Sequence, residues 1–271
     1  MIVAVCSDKG SPGVTTLATV LALAWPGERI LLEADPSGGD LQLRLHAPGT
    51  QYLAREPSIL NLATAVRSGA RGDGLGGYTQ DTSLGIAVIP GPPVAEAWTP
   101  MLQLWAPVAA RVREWPGTVI ADLGRLQAGH PGVPVARAAD VVLLLTTATM
   151  EGLFHARERA RELEQVLGDP APRSRVAVVV RSGGKRRGSL NDVTQVLRNL
   201  VPVVGGFAED RSGVETLLAG SDTAALRRSP LLRSGTELVA RIQRAWPAPG
   251  RSSPSPASAP GSPVRLLRDS P

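Results

Sequence analysis

Short runs of aliphatic and β-branched residues alternate along the chain with longer segments whose apolar positions recur every three or four residues. The runs at 2–6, 28–35, 86–93, 118–124, 141–147, 175–181 and 201–207 read as strands. They are apolar at successive positions instead of alternating, as strands buried on both faces of a sheet are. Between them the spacing predicts helices over 14–24, 58–67, 98–115, about 151–167 and 189–199, with further helical segments reaching Trp246. Strand and helix in turn predict a doubly wound, mostly parallel α/β sheet. The Gly-rich stretch 69–77 reads as a flexible surface loop. One domain is expected over 1–246. From 247 to 271 the composition shifts to Pro, Ser, Ala, Gly and Arg, with too little apolar surface to offset ordering entropy, so a disordered tail is expected there. The segment 237–246 is amphipathic, with Leu238, Val239, Ile242 and Trp246 on one side and Arg241 and Arg244 elsewhere. Such a stripe packs onto a domain, or in a basic terminal helix lies on a membrane; packing is the expected use here.

The 271 residues are 43% hydrophobic and 20% charged, which excludes an extended disordered chain. The formal net charge is +5, and of 29 basic residues only Lys9 and Lys185 are lysine. The tail contributes Arg251, Arg265 and Arg268 against Asp269, which leaves the body only modestly basic and gives little ground for DNA binding. Five Trp, two Tyr and two Phe are too few and too scattered for a base-stacking platform. The single cysteine, Cys6, allows no internal disulfide or thiolate cluster, and its apolar neighbours place it in a buried strand. His46, His130 and His155 show no ligand spacing. The N-terminal apolar run is too short for a signal sequence, and no run approaches the roughly 20 residues of a membrane span, so a cytoplasmic location is expected.

The first strand leads into Asp8-Lys9-Gly10-Ser11-Pro12-Gly13-Val14-Thr15-Thr16 and then a helix, the placement of a phosphate-binding loop. Backbone N–H groups of a Gly-rich turn and a helix N-terminus make a nest for anionic oxygens, and Thr15 offers a hydroxyl to Mg2+. The general pattern G-x-x-x-x-G-K-[ST] needs lysine where this chain has Val14, so the plain motif fails. Asp35 and Asp122 each follow an apolar strand at the edge where open parallel sheets bind ligands. There they position Mg2+ and water, or act as turn and capping acids.

KGSPGVTT resembles the deviant Walker A motif, K-G-G-x-G-K-[ST], of the MinD/ParA family of P-loop ATPases, which includes the CpaE/TadZ-like proteins of pilus systems. The match keeps the signature lysine as Lys9, the glycines as Gly10 and Gly13 and the hydroxyl as Thr15, and it lacks the Walker lysine. ILLEADPSGGDL (30–41) resembles the segment after the family's second strand, with Glu33 for the first Asp of D-x-D and Asp35 for the second. TVIADLG (118–124) resembles Walker B, and AADVVLLLTTATMEGLFHA (138–156) and GGFAEDRSGVETLLAGS (205–221) resemble later segments. Together these matches span about residues 1–245.

The resemblance implies ATP and Mg2+, with nucleotide contacts from Lys9, Gly10, Ser11, Gly13, Val14, Thr15 and Thr16. It implies a Mg2+ shell of Thr15 and Asp122, catalytic roles for Lys9 and Asp35, and Arg181 where relatives place a base-reading Asn. It also implies a homodimer in which Lys9 reaches the partner subunit's phosphates, and a protein partner from a partitioning, division or pilus/secretion system. Membrane or DNA attachment is known among relatives and has no support in this sequence. Val14 forfeits charge-assisted hydrogen bonds of about 1.5–3 kcal/mol each, and Pro12 removes one N–H from the nest. Weak nucleotide binding and little or no hydrolysis are therefore expected, unless Lys9 or Arg181 substitutes; either is otherwise a solvated loop residue. The expected role is a spatial regulator or assembly factor. The alternatives are an active dimerisation switch using Lys9 in trans and a scaffold independent of nucleotide.

Overall fold

In the computed structural model the first apolar run forms β1 (Ile2–Ser7), whose side chains alternate between two cores. Ile2, Ala4 and Cys6 join one apolar cluster, while Val3 and Val5 join another on the opposite face. The structure describes residues 1–10, 12–70, 74–168, 174–183, 190–197, 200–220 and 222–247. Ser11, Lys185 and the expected tail beyond Pro247 lie outside the described residues.

The order continues as α1 (Val14–Ala24), β2 (Arg29–Glu33), α2 (Leu41–Arg44), α3 (Ile59–Arg67), β3 (Gln80–Asp81), β4 (Ala87–Ile89), α4 (Trp105–Glu114) and β5 (Thr118–Arg125). Then come α5 (Val133–Ala138), β6 (Val141–Thr147), α6 (Met150–Leu167), β7 (Val176–Ser182), α7 (Leu190–Leu197), β8 (Val203–Ala208), α8 (Arg211–Ala219), α9 (Thr223–Arg228) and α10 (Pro230–Ala245). The strands form one eight-stranded sheet in the order β3-β4-β2-β5-β1-β6-β7-β8. Neighbours are parallel except β3 and β4, which pair antiparallel at one edge. Residues of α3 to α7 pack on the face of Cys6, while α1 and α10 cover the face of Val5, giving three layers. The doubly wound architecture expected from the alternating pattern is therefore present.

Several boundaries move for identifiable reasons. The run 86–93 contracts to Ala87–Ile89, because Pro90, Pro92 and Pro93 have no N–H for a ladder. The helix expected over 98–115 splits into a 3-10 turn, Ala95–Met101, containing Pro100, followed by α4. Leu75, inside the stretch read as a surface loop, is fully buried. The amphipathic stripe near the C-terminus is a core face: Leu231, Leu238, Val239 and Ile242 of α10, with Trp246 just beyond it, are buried in the cluster that includes α1. Among the described residues, no helix is long and apolar enough to cross a membrane. Cys6 is fully buried, and that burial pushes its thiol up to about 12.

Candidate functional site

The sheet order puts β1 between β5 and β6, and its carboxyl end opens into the loop that starts α1. This is a switch point of an open α/β sheet, where side chains from separate segments converge on a ligand. Gly10 and Gly13 both have positive φ, 77° and 101°, which lets the chain turn back into the helix. Gly13 is the residue before α1, and its carbonyl accepts from Leu17 N–H at 2.9 Å. No side chain caps this helix start and no acid lies in its first turn, so its exposed N–H groups and dipole remain available to an anion.

A cleft of about 460 Å³ lies over this turn, lined by Gly10, Gly13, Val14, Thr15, Thr16, Ser7 and Asp35 among others. Val14 is only 7% exposed and packs into the apolar cluster with Val5 and Leu17, so the position of the Walker lysine carries no donor to the cleft. Thr15 and Thr16, half-buried in the first turn of α1, do line it.

Strand pairing brings the two candidate carboxylates to the same place. Glu33 of β2 lies opposite Asp122 of β5, and Ala34 N–H donates to Asp122 O at 2.8 Å, which carries Asp35 to the cleft beside Asp122. Asp35 Oδ1 accepts from Ser37 N–H at 2.9 Å. Gly124, with φ of 58°, makes room for it: a Cβ there would overlap the Asp35 carboxylate. Asp122 is 1% exposed; Oδ1 accepts from Gly124 N–H at 3.1 Å, whereas no hydrogen bond reaches Oδ2. Burial raises its carboxyl to about 6, opposed by the nearby Thr15 hydroxyl and the Gly124 amide.

A buried carboxylate oxygen without a partner, next to a threonine hydroxyl and the uncapped start of α1, fits the water shell of a Mg2+ ion. The described residues contain no group of three or more His, Cys, Asp or Glu able to hold a metal by themselves.

Three expected contributors sit differently. Lys9 is exposed and lines a separate depression of about 190 Å³ with Thr146, Thr147, Glu151 and His155, outside the cleft of its own chain. Its neighbour Asp8 is held by α6: Arg159 Nε donates to Asp8 Oδ1 at 2.6 Å and His155 Nδ1 lies 3.3 Å from Oδ2. Arg181 does not line the cleft; Nη1 donates to Pro12 O at 3.2 Å and Nη2 to Glu209 Oε1 at 3.5 Å, so it braces the loop from behind. Glu33 is held by three backbone N–H groups, those of Asp40 and Leu41 at the start of α2 and that of Gly91 after β4.

Two arginines that no motif singled out also line the cleft, Arg44 at the end of α2 and Arg125 at the end of β5. The available signal was slight: a cation three positions after Asp122, and another shortly after the Gly-Gly-Asp-Leu turn.

No protein-family model matches the chain, and no curated protein does. Solved structures do match. A ParA family ATPase from Chlorobium tepidum TLS superposes with a TM-score of 0.72 at 18% identity, over 88% of this chain and 98% of that one. The septum site-determining protein MinD from Pyrococcus horikoshii OT3, complexed with Mg-ADP, gives 0.69 at 16% identity over 90% and 96%. The MinC:MinD cell division protein complex of Aquifex aeolicus gives 0.66 at 15% identity over 92% and 98%. The chain thus has the fold of the MinD and ParA ATPases, in agreement with the motifs.

Proposed function

We propose that the chain is a MinD/ParA-like spatial regulator or assembly factor whose degenerate P-loop holds nucleotide and Mg2+ weakly and hydrolyses it slowly or not at all. The observation that carries this reading is the juxtaposition of Thr15 and the unpaired, buried Oδ2 of Asp122 with a valine at the position of the Walker lysine. The first two are what a P-loop uses to organise Mg2+, which would screen the phosphates and order water there. Loss of a donor at the reacting phosphate typically costs about 10²–10³ in rate. Thr15 and Asp122 would hold the ion's water shell, Asp35 would orient water, and the backbone N–H groups of Gly10 and of Gly13 to Thr16 would hold phosphate oxygens.

The solved structures named above include a MinD with Mg-ADP and a MinD bound to MinC, which supports a nucleotide-dependent role with a protein partner. A homodimer also fits. Lys9 lines the neighbouring depression and not its own cleft, and on the adjacent first turns of α6 Met150 and Phe154 are 80% and 64% exposed. That placement favours, as a second reading, a switch in which Lys9 acts on the nucleotide of the partner subunit.

Equilibrium binding of a fluorescent ATP analogue with Mg2+, together with phosphate release and sedimentation, tests this on the full chain, Lys9→Ala and Val14→Lys. The expected result is Mg2+-dependent binding by the native chain, little phosphate release, and tighter binding by Val14→Lys. Binding by Val14→Lys alone would replace the proposal with a nucleotide-independent scaffold. Rapid turnover that is lost in Lys9→Ala would replace it with the active switch.

A further inference from the structure

Among the described residues the cleft is lined by no lysine and by two arginines instead. Arg44 and Arg125 come from different segments, one after β2 and one at the end of β5, and the pairing of those strands brings both to the wall of the cleft that holds Gly10, Gly13 and Thr15. Arg125 is fixed over the loop: its Nε donates to Gly10 O at 3.1 Å. That bond uses one of five donors and leaves the two terminal nitrogens on an exposed side chain. Arg44 is half-buried and forms no ion pair among the described residues, although Asp35 and Asp40 line the same cleft.

A guanidinium fork binds phosphate oxygens in pairs, which an ammonium does not do. The cleft also shows an independent sign of an intended polar ligand. Ser7 is one of its lining residues and is 1% exposed, and its buried hydroxyl has no hydrogen-bond partner among the described residues. A buried hydroxyl left open at the carboxyl end of β1 is costly unless something arrives to use it.

We propose that Arg44 and Arg125 replace the missing Walker lysine and clasp the terminal phosphates of a bound nucleoside triphosphate. This rests on the nucleotide-binding reading above and names its cation. Asp35 and Asp40 in the cleft lining match the two arginines in number, and Asp122 is buried beside them, so the arginines act together with Mg2+ and binding depends on the metal.

The test measures displacement of a fluorescent, non-hydrolysable ATP analogue from the full chain by ATP, ADP and AMP, with and without Mg2+. The variants are Arg44→Gln, Arg125→Gln, the corresponding lysine substitutions, Lys9→Ala, and the remote, exposed Arg211→Gln as a control for net charge. Each glutamine variant is expected to weaken ATP at least about tenfold and AMP less than about twofold, with Arg211→Gln unchanged and the lysine variants intermediate. If a glutamine variant fails to fold, its lysine counterpart carries the test: a loss for ATP with AMP spared upholds the clasp, and native affinity for ATP overturns it. Glutamine variants within about twofold of native overturn it as well, and a loss confined to Lys9→Ala assigns the cation to Lys9. Absence of any nucleotide binding by the native chain removes the nucleotide reading and this inference together.

Discussion

At Glu33 one extra methylene, relative to the aspartate of the family pattern, changes what a carboxylate does. Its Oε1 accepts from Asp40 and Leu41 N–H at 2.7 and 2.9 Å, and its Oε2 from Gly91 N–H at 2.8 Å, tying β2 to two loops. Gly39 permits this, because a Cβ there would come within van der Waals overlap of the Glu33 carboxylate. Burial nevertheless raises the carboxyl from 4.5 to about 7. The folded chain therefore holds a proton that the unfolded chain has released between those values. Stability from this group is full below about 4.5 and lost as pH rises through about 7, by at most about 3 kcal/mol. Asp122 acts in the same direction between 3.8 and about 6. Glu33→Gln removes only the Glu33 share. Urea unfolding at pH 5 and pH 8 should show the native chain's advantage over Glu33→Gln shrinking at the higher pH; an advantage that grew would refute the assignment. What was legible at this scale was contiguous. Gly10, Gly13 and Thr15 lie in one stretch, whereas Arg44 and Arg125 become neighbours only through the pairing of β2 with β5.

Elements with a clear period were readable and short ones were not. β1, α1, β6 and α6 announce themselves by uninterrupted apolar runs or by an apolar stripe of several turns. α2, α5 and β3 span too few residues for any period to register, and each is placed by the connection it belongs to. α10 was legible as amphipathic, but its partner was not, since a stripe does not say what covers it. Gly235 supplies the answer: a Cβ at this position would overlap Val20 Cγ1 of α1, so the two helices approach through a glycine. Alanine is the better helix former by about 1 kcal/mol, but overpacking against a stiff valine costs about 1–3 kcal/mol. Gly235→Ala should therefore lower the thermal midpoint, and Gly235→Ala with Val20→Ala should recover part of the loss. A midpoint raised by Gly235→Ala alone would show that the helices yield.

Across the whole molecule, the two cores lie on opposite faces of the sheet, and β1 runs through the middle of it. That strand leads into the phosphate loop at one end and carries the chain's one thiol beside that loop. Because Cys6 is fully buried and its thiol is pushed up to about 12, the folded protein presents almost no thiolate to an alkylating reagent. Labelling must wait for the central strand to be released, so the speed at which iodoacetamide consumes this sulfur is a clock for global opening. A nucleotide that binds only the folded form at about 100 times its dissociation constant should slow that clock about a hundredfold. Mass spectrometry of a single adduct would read the effect, and unchanged labelling at saturating Mg-nucleotide would count against binding at the cleft. The unmodified chain thus times its own unfolding, with no dye, tag or introduced residue.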